Sequence, residues 1–356
     1  MDKEFIPINL PIDFNLETTR ILKKTISANR ALAKLNGIAK IIPNSAILIN
    51  SLVLQEAKDS SEIENIVTTH DELYKASIDS SSITKETKEV QNYREALLKG
   101  YSLVKENNLL LRRYIIEIQA ELEQNDAGVR KQQGTNLKNQ QTGEVVFTPP
   151  QDYEVIKGLL ENLEKYINEP NDIDPLINMA IIHYQFETIH PFYDGNGRTG
   201  RIINILYLIL NELLDIPILY LSRYIIKHKS DYYRLIQEVR TKDSFEEWIL
   251  YMLEAVEKTS LQTIVLVNNI KNLMDKNKYE IREKLPKIYS KDLLEVIFMH
   301  PYTKIDFLVD LLGLHRETAS KYLKALEKIG IFESVKIGRS KFFIHKELYA
   351  LLQNGI

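Results

Sequence analysis

Apolar residues recur three and four positions apart through most of this chain, the spacing of an amphipathic helix. The pattern predicts helices over 16–36 and 46–75, then over 86–107, 110–124 and 153–167. It resumes over 175–190, 198–214, 229–240 and 244–266. One polar stretch, NDAGVRKQQGTNLKNQQTGEVVFTPP at 125–150, interrupts it. Gly128, Gly134 and Gly143 punctuate this stretch, and GEVVFT reads as a short strand before Pro149 and Pro150. A β-hairpin inside an otherwise helical protein follows. Residues 271–287 are heavily charged and read as an exposed helix or linker. Beyond them SKDLLEVIFMHP, KIDFLVDLLG and HRETASKYLKALEKIG read as three short helices, and IFESVKIGRSKFFIH as two β-rich runs around IGRS. Three helices and a hairpin predict a winged helix-turn-helix. There is no internal repeat and no long low-complexity tract.

Within its most hydrophobic region, between INMAIIHYQFETI and IINILYLILNELL, the chain places HPFYDGNGRTGR, residues 190–201. Pro191 disfavours helical geometry at His190, and a new helix is expected near Arg198. Gly195 and Gly197 leave their amides unshielded, so a polyanion can approach closely. A loop that opens into a helix N-terminus is an anion site, because free N–H groups and the helix dipole point the same way. Arg198 and Arg201 are three apart, share a face and can grip neighbouring phosphate oxygens. Asp194 faces the same space, and a carboxylate beside bound phosphates is a natural Mg²⁺ ligand. His190 is the candidate general base, since its ordinary pKa lies near neutrality. The stretch therefore predicts a nucleotide-polyphosphate site with a metal and a base. It lacks the GxxxxGK[ST] of a P-loop and any obvious side-chain nucleophile. That favours direct transfer to a hydroxyl on another molecule, with His190 taking the proton. Two readings compete with this one. The first is a glycine-rich linker whose charges serve only solubility. The second is a metal site in which His183, two helical turns upstream, joins His190 and Asp194 as ligands.

Composition narrows the field. A length of 356 residues suggests two or three domains, and 44% hydrophobic content is ordinary for a chain with a real core. The formal net charge of −3 gives no global field for nucleic acid or membrane. The absence of cysteine excludes disulfides, thiol nucleophiles and cysteine-rich zinc sites. The most apolar run, 202–214, is broken by Asn204, Asn211 and Glu212 and is too short for a bilayer span. The start MDKEFIPINLPIDF does not read as a secretory signal. A cytoplasmic protein with no membrane partner is expected.

The central stretch resembles the motif of Fic-domain proteins, HxFx[DE]GNGRxxR. His190, Phe192, Asp194, Gly195, Asn196, Gly197, Arg198 and Arg201 fill every fixed position. HYQFETIHPF is similar to the family's approach helix, GEVVFTPP to its flap, and YLSRYIIKHKSDYYRLIQEVRTKDSFEEWILYML to its downstream helices. The resemblance implies a mainly α fold: a Fic helical core with a β-hairpin flap, joined here to the C-terminal winged helix-turn-helix domain. The expected divisions are a helical region over 1–108, the catalytic core over 109–266 with its flap near 130–150, a helical linker over 267–286 and the winged helix over 287–356. The implied activity is that of a protein adenylyltransferase, which uses Mg²⁺ to move AMP from ATP to a protein hydroxyl and releases pyrophosphate. His190 would be the base and Asp194 the metal ligand. Gly195, Asn196 and Gly197 would form the anion hole, with Thr199 and Gly200 in the same nucleotide-binding run. Arg198 and Arg201 would hold the β- and γ-phosphates. Tyr232 and Tyr233 match a pair on the nucleoside side; the plainer reading is two aromatics on an amphipathic helix. At the flap, VVF would pair with an extended target segment while its Ser, Thr or Tyr hydroxyl points at His190. The alternative is an ordinary hairpin covering the core. The acceptor is another protein or the chain itself. Some family members move a different nucleotide, phosphocholine or a phosphate, and the intact loop with both arginines favours ATP.

A second stretch, SSEIENI at 60–66, fits the family's inhibitory motif [ST]xxxE[GN] through Ser60, Glu64 and Asn65. Ser60 and Glu64 are four apart and share a helical face. A Glu64–Arg201 pair would keep that arginine from the γ-phosphate, giving an enzyme inhibited by its own chain. A solvated polar face is the plainer reading. Residues 287–356 carry about 11 basic and 8 acidic residues, roughly +3 against about −6 for the rest. Arg316, Lys321, Lys324 and Lys328 lie on the helix that would enter a major groove, and Arg339 and Lys341 flank the wing. DNA binding, protein docking and homo-oligomerisation all stay open for this domain. The leading expectation is an autoinhibited protein adenylyltransferase. The alternatives are a DNA-binding regulator whose core only senses nucleotide, and an enzyme that removes AMP, with a glutamate near the site positioning water.

Overall fold

The structure is a computed structural model and describes residues 4–76, 83–138, 142–337 and 340–354. Its centre is set by two helices with almost no polar face. Helix α7 (Pro175–Ile189) is buried from Leu176 to its end, and α8 (Asn196–Leu210) is buried over nearly its whole length. A helix apolar all round belongs inside a bundle. Pro175 occupies the first turn of α7, and the Asp174 side chain accepts from the Leu176 N–H at 2.8 Å, a favourable start on both counts. Around this pair, α4 (Lys85–Asn107) and α5 (Arg112–Glu123) pack on α8, while α6 (Tyr153–Asn168) and α11 (Phe245–Lys284) pack on α7. Trp248 of α11 is fully buried and donates to the Ala180 carbonyl at 2.8 Å. Helix α1 (Thr19–Ala39) lies along α11 and pairs Arg20 with Glu246 at 2.8 Å and Glu247 at 2.6 Å.

The spacing predicts one helix over 46–75; the structure has two, α2 (Ser45–Ile63) and α3 (His70–Ala76). The break has a local cause. Asn65 adopts a left-handed backbone (φ 64°), its N–H donates to the Glu62 carbonyl, and the Ile66 N–H donates to the Ser61 carbonyl, both at 3.0 Å. These are the paired bonds of a left-handed helix stop. Glu64 is therefore the C-terminal cap of α2 rather than an interior residue. Beside α2 lies α9 (Ser222–Lys227), a one-turn helix that spacing does not reveal, followed by α10 (Lys229–Lys242). The flap is a short antiparallel pair, β1 (Leu137–Lys138) and β2 (Val145–Phe147), with Leu137 opposite Phe147.

Helix α11 does not stop near 266. It runs on to Lys284, and Leu273, Met274, Asn277 and Ile281 are buried at three- and four-residue intervals. The charged residues of this region thus share the helix with an apolar stripe, so the reading of 271–287 as exposed helix or linker is corrected. The stripe meets the C-terminal unit: α12 (Lys291–Met299), α13 (Ile305–Leu312), α14 (Arg316–Lys328) and a sheet in the order β3-β5-β4. Its strands are β3 (Tyr302–Thr303), β4 (Phe332–Ile337) and β5 (Ser340–His345), paired antiparallel as in a winged helix. A final helix, α15 (Lys346–Asn354), which the pattern does not announce, packs on α11. Lys321, Lys324 and Lys328 are exposed on α14. Arg316 pairs with Asp306, and Lys341 lies 3.5 Å from Glu327. Arg339 lies outside the described residues. No helix among the described residues is long and apolar enough to cross a membrane.

Candidate active site

A cavity of about 1110 Å³ opens where the N-terminus of α8, the C-terminus of α2, helix α10 and the flap converge. Helix α7 ends at His190, whose backbone is left-handed (φ 49°, ψ 58°) and whose N–H donates to the Phe186 carbonyl at 3.0 Å. The Asn196 side chain closes the following loop: it accepts from the Phe192 N–H at 2.8 Å and donates to the Phe192 carbonyl at 2.9 Å. Gly195 takes φ 77°, a torsion side chains resist. Helix α8 then starts at Asn196, two residues earlier than expected, so Gly197 and Arg198 belong to a first turn whose amides have no intrahelical acceptor. His190, Asp194, Gly195, Asn196, Gly197 and Arg198 line the cavity together. Thr199 and Gly200 are buried and do not line it.

The two arginines are held apart. Arg198, 4% exposed, donates to Glu123 at the end of α5 (2.8 Å) and to Glu89 of α4 (3.3 Å). Arg201, 1% exposed, donates to the Ser60 hydroxyl (2.7 Å), the Ser60 carbonyl (2.8 Å) and Glu64 Oε1 (3.0 Å). Neighbouring elements supply each arginine with its own carboxylate. Glu64 lines the cavity and Arg201 does not, so the carboxylate stands between that arginine and the open space. A Cβ on Gly197 would lie 2.4 Å from Glu64 Oε1. The carboxylate is therefore seated on the glycine loop itself, and only glycine at 197 leaves it room.

The His190 ring also lines the cavity, and its Nδ1 has no hydrogen-bond partner among the described residues. Burial above all, then the cations Arg130 and Arg240, push its pKa down to about 3, so the ring is neutral in the free protein. Arg130 is fully buried and braces this corner. Its Nε donates to the His190 carbonyl at 2.8 Å, its backbone N–H to the Pro191 carbonyl at 2.9 Å, and its guanidinium reaches the Pro150 carbonyl at the base of the flap. Arg240 lies 3.6 Å from the Phe147 ring centroid of the flap, and burial lowers its pKa to about 10. The Tyr193 hydroxyl accepts from the Lys131 N–H at 2.9 Å. None of these three residues stands out in the sequence. Arg130 sits in a polar glycine-rich stretch with no periodicity and looks there like any surface cation.

Asp194 is open to the cavity, its side chain 80% exposed and its Oδ1 accepting from the Gly195 N–H at 2.7 Å. Among the described residues no group of three or more histidine, cysteine or carboxylate side chains could hold a metal. The set His183, His190 and Asp194 is not assembled. His183 is fully buried; its Nε2 lies 2.7 Å from the Tyr232 hydroxyl and its Nδ1 3.1 Å from the Asn204 amide, so both nitrogens are engaged. Tyr232 is accordingly a core residue and does not line the cavity, whereas Tyr233 lines it and is 45% exposed.

Comparison with known proteins follows the same geography. Residues 22–102 match the Fic/DOC family N-terminal model, residues 109–208 the Fic/DOC family model, and residues 273–348 the model described as protein adenylyltransferase SoFic-like, C-terminal domain. A probable protein adenylyltransferase of Aquifex aeolicus (strain VF5) is 38% identical over 79 residues, 22% of this chain and 24% of that protein. The protein adenylyltransferase Fic of Drosophila grimshawi is 29% identical over 106 residues, 28% of this chain and 20% of that protein. The chain thus spans a quarter or less of the length of these curated relatives. Among solved structures, a Fic family protein from Desulfovibrio desulfuricans G20 superposes with a TM-score of 0.58 at 19% identity, covering 92% of this chain and 96% of that one. Fic-1 of C. elegans (residues 134–508) superposes at 0.52 and 19% identity, covering 72% and 73%. At that identity the superpositions speak for the fold alone. The matched models succeed one another along most of the sequence, and the central one ends inside the helix that carries the glycine loop; the chain belongs to the Fic/DOC family.

Proposed function

We propose that the protein is an autoinhibited protein adenylyltransferase, which transfers AMP from ATP to a Ser, Thr or Tyr hydroxyl of a target protein or of itself. One observation carries this reading: His190 and the loop Asp194–Arg198 line one cavity while Glu64 of the same chain occupies Arg201. In the reaction, the first-turn amides of α8 with Arg198 and Arg201 hold the β- and γ-phosphates. His190 takes the hydroxyl proton, and the hydroxyl oxygen forms its bond to the α-phosphorus. The bond from that phosphorus to the oxygen bridging toward the β-phosphate breaks, and pyrophosphate leaves with the electron pair. Asp194 would hold Mg²⁺; a single exposed carboxylate beside a phosphate site suits an ion that keeps waters and takes phosphate oxygens, and when bound it supplies charge neutralisation. Val146 of the flap is 48% exposed and lines the cavity, which supports main-chain pairing of an extended target segment there. The proposed division is a helical region over 1–108 that carries the inhibitory contact, a core over 109–266, a helical linker over 267–286 made largely of the partly buried end of α11, and a winged helix over 287–356.

The test uses α-labelled ATP with Mg²⁺ and follows label on the protein itself. Glu64→Ala should raise self-labelling about tenfold or more, since a factor of ten corresponds to about 1.4 kcal/mol, within reach of one charge-assisted pair. Glu62→Ala is the control: Glu62 pairs with Lys58 at 2.8 Å and does not line the cavity. Equal labelling by the two variants would refute autoinhibition. No label from Glu64→Ala would refute adenylyl transfer. Loss of an AMP-removing activity in Glu64→Ala would favour the hydrolytic alternative, which the seating of Glu64 on the loop also allows.

A further inference from the structure

Glu187 lies on the last turn of α7, three residues before His190, and the reaction just described does not use it. It is buried, and its Oε1 has no hydrogen-bond partner among the described residues. That oxygen lies 2.5 Å from where a Cβ on Gly200 would be, so it has room only because α8 carries glycine immediately before Arg201. The groups that face it come from four elements. Arg201 acts on it from α8, Glu64 from the end of α2, and Arg240 from α10, where it also influences Tyr232 and Tyr233. On its own helix His183 shares contact with the same Gly200 position, and His190 follows one turn on. A buried carboxylate without a donor is costly unless it is protonated or has a task.

We propose that Glu187 is a positioning residue, the inner counter-ion that holds Arg201 once Glu64 has withdrawn. The inference rests on the reading of Arg201 as a phosphate ligand blocked by Glu64. Two carboxylates beside one guanidinium cannot both ionise cheaply. In the resting state Glu64 has the hydrogen bond to Arg201 and is 34% exposed, so the charge sits there. Glu187 keeps its proton: burial first raises its pKa to about 7, Arg201 pulls it down, and Glu64 pushes it up. Withdrawal of Glu64 removes that repulsion and leaves Arg201 with two buried carboxyls in its field: Glu56, which Ser222 already holds, and Glu187, whose Oε1 has no partner among the described residues. Glu187 then releases its proton and pairs with Arg201. Binding of ATP returns negative charge to the outer side of the arginine, and Glu187 takes a proton up again. ATP binding linked to proton uptake weakens as pH rises, and glutamine at 187 removes the link.

The experiment is calorimetric titration of ATP from pH 6 to 8, in buffers of different ionisation enthalpy, into Glu64→Ala and Glu64→Ala/Glu187→Gln. The ionisation of ATP itself is common to both. The single variant should take up more protons per ATP than the double variant, and its ATP affinity relative to the double variant should fall several-fold from pH 6 to pH 8. Parallel pH dependence with equal proton uptake would overturn the proposal while leaving the site reading intact. Failure of ATP to bind either variant or the wild type would overturn both. Infrared difference spectroscopy on Glu64→Ala needs no change at 187: ATP should increase the protonated-carboxyl band, and the absence of that increase counts equally against the proposal.

Discussion

His190, the base of the proposed reaction, sits in a left-handed backbone position, held there by a helix stop on one side and by Arg130 on its carbonyl. Its pKa is depressed, so the neutral form persists well below neutrality; the approach of phosphate charge is what would raise it and make proton capture favourable. Two outcomes follow at this scale. In the free protein, the ring signals of His190, assigned by their loss in His190→Ala, should not titrate between pH 8 and pH 5 in an NMR series. A midpoint near 6.5 would mean that the ring is solvated and the buried arrangement wrong. In the Glu64→Ala background, His190→Ala should lower self-labelling by about 10²–10⁴-fold, the usual loss for a general base, while ATP affinity by calorimetry holds. Arg198 and Arg201 remain in place in that variant, so loss of ATP binding alongside activity would assign His190 to the binding site rather than to the chemistry.

At the scale of helices, glycine has opposite meanings at two places. A Cβ on Gly100 of α4 would lie 2.6 Å from Leu206 Cδ1 of α8 and 2.8 Å from Ile118 Cδ1 of α5, where three helices meet. Gly158, inside α6, has nothing within 4 Å of that position. Gly100→Ala should therefore destabilise by about 1–3 kcal/mol through overpacking, whereas Gly158→Ala should stabilise by about 0.5–1 kcal/mol through helix propensity. Chemical denaturation of both variants checks this, and a shift of the same sign in each would contradict the packing described. Spacing made helices such as α4, α6 and α7 readable because each buries one continuous stripe or its whole surface. The stop after Glu64 was written in the sequence too, although periodicity carried across it: Asn65 takes a left-handed torsion, which ends α2 and leaves Glu64 at its tip. The loop, His190 and Glu64 were legible because local chemistry and motif spacing define them. Arg130, Arg240 and Glu187 were not, since their roles arise from contacts between distant segments. A glutamate inside the apolar run of α7 was the single local signal for the last of these.

The molecule as a whole ties the helix that carries the Glu64–Arg201 contact to its C-terminal unit. Glu56 of α2 accepts from the Ser222 N–H at 2.9 Å, Asp59 accepts from the Tyr220 hydroxyl at 2.6 Å, and Gln55 donates to the Leu352 carbonyl of α15 at 2.7 Å. Helix α11 joins the same regions, with Asn277 2.7 Å from His345. This shared burial has a consequence for acid stability. Of the seven histidines, His183, His190 and His345 are held near pKa 3, and His70 and His300 near 4, in each case by burial first. Unfolded histidine titrates near 6.5, so these five contribute stability that is present above about pH 6.5 and lost as pH falls toward their folded values. Glu56 and Glu187 act in the opposite sense: burial raises both to about 7, so their contribution is present below about pH 4.5 and lost as pH rises toward 7. Glu123 is raised by burial as well, so between about pH 4.5 and 6.5 the balance is five groups against three, and unfolding takes up protons on balance. Stability should then rise with pH across this window, by at most about 3 kcal/mol per pH unit if all shifts act fully. Scanning calorimetry should show the unfolding midpoint falling steadily from pH 7 to pH 5, and a flat or rising midpoint would mean that the histidines are hydrated in solution. Replacing His345 by glutamine, which can still meet Asn277 but carries no proton, should reduce that pH slope while leaving the midpoint at pH 7 nearly unchanged.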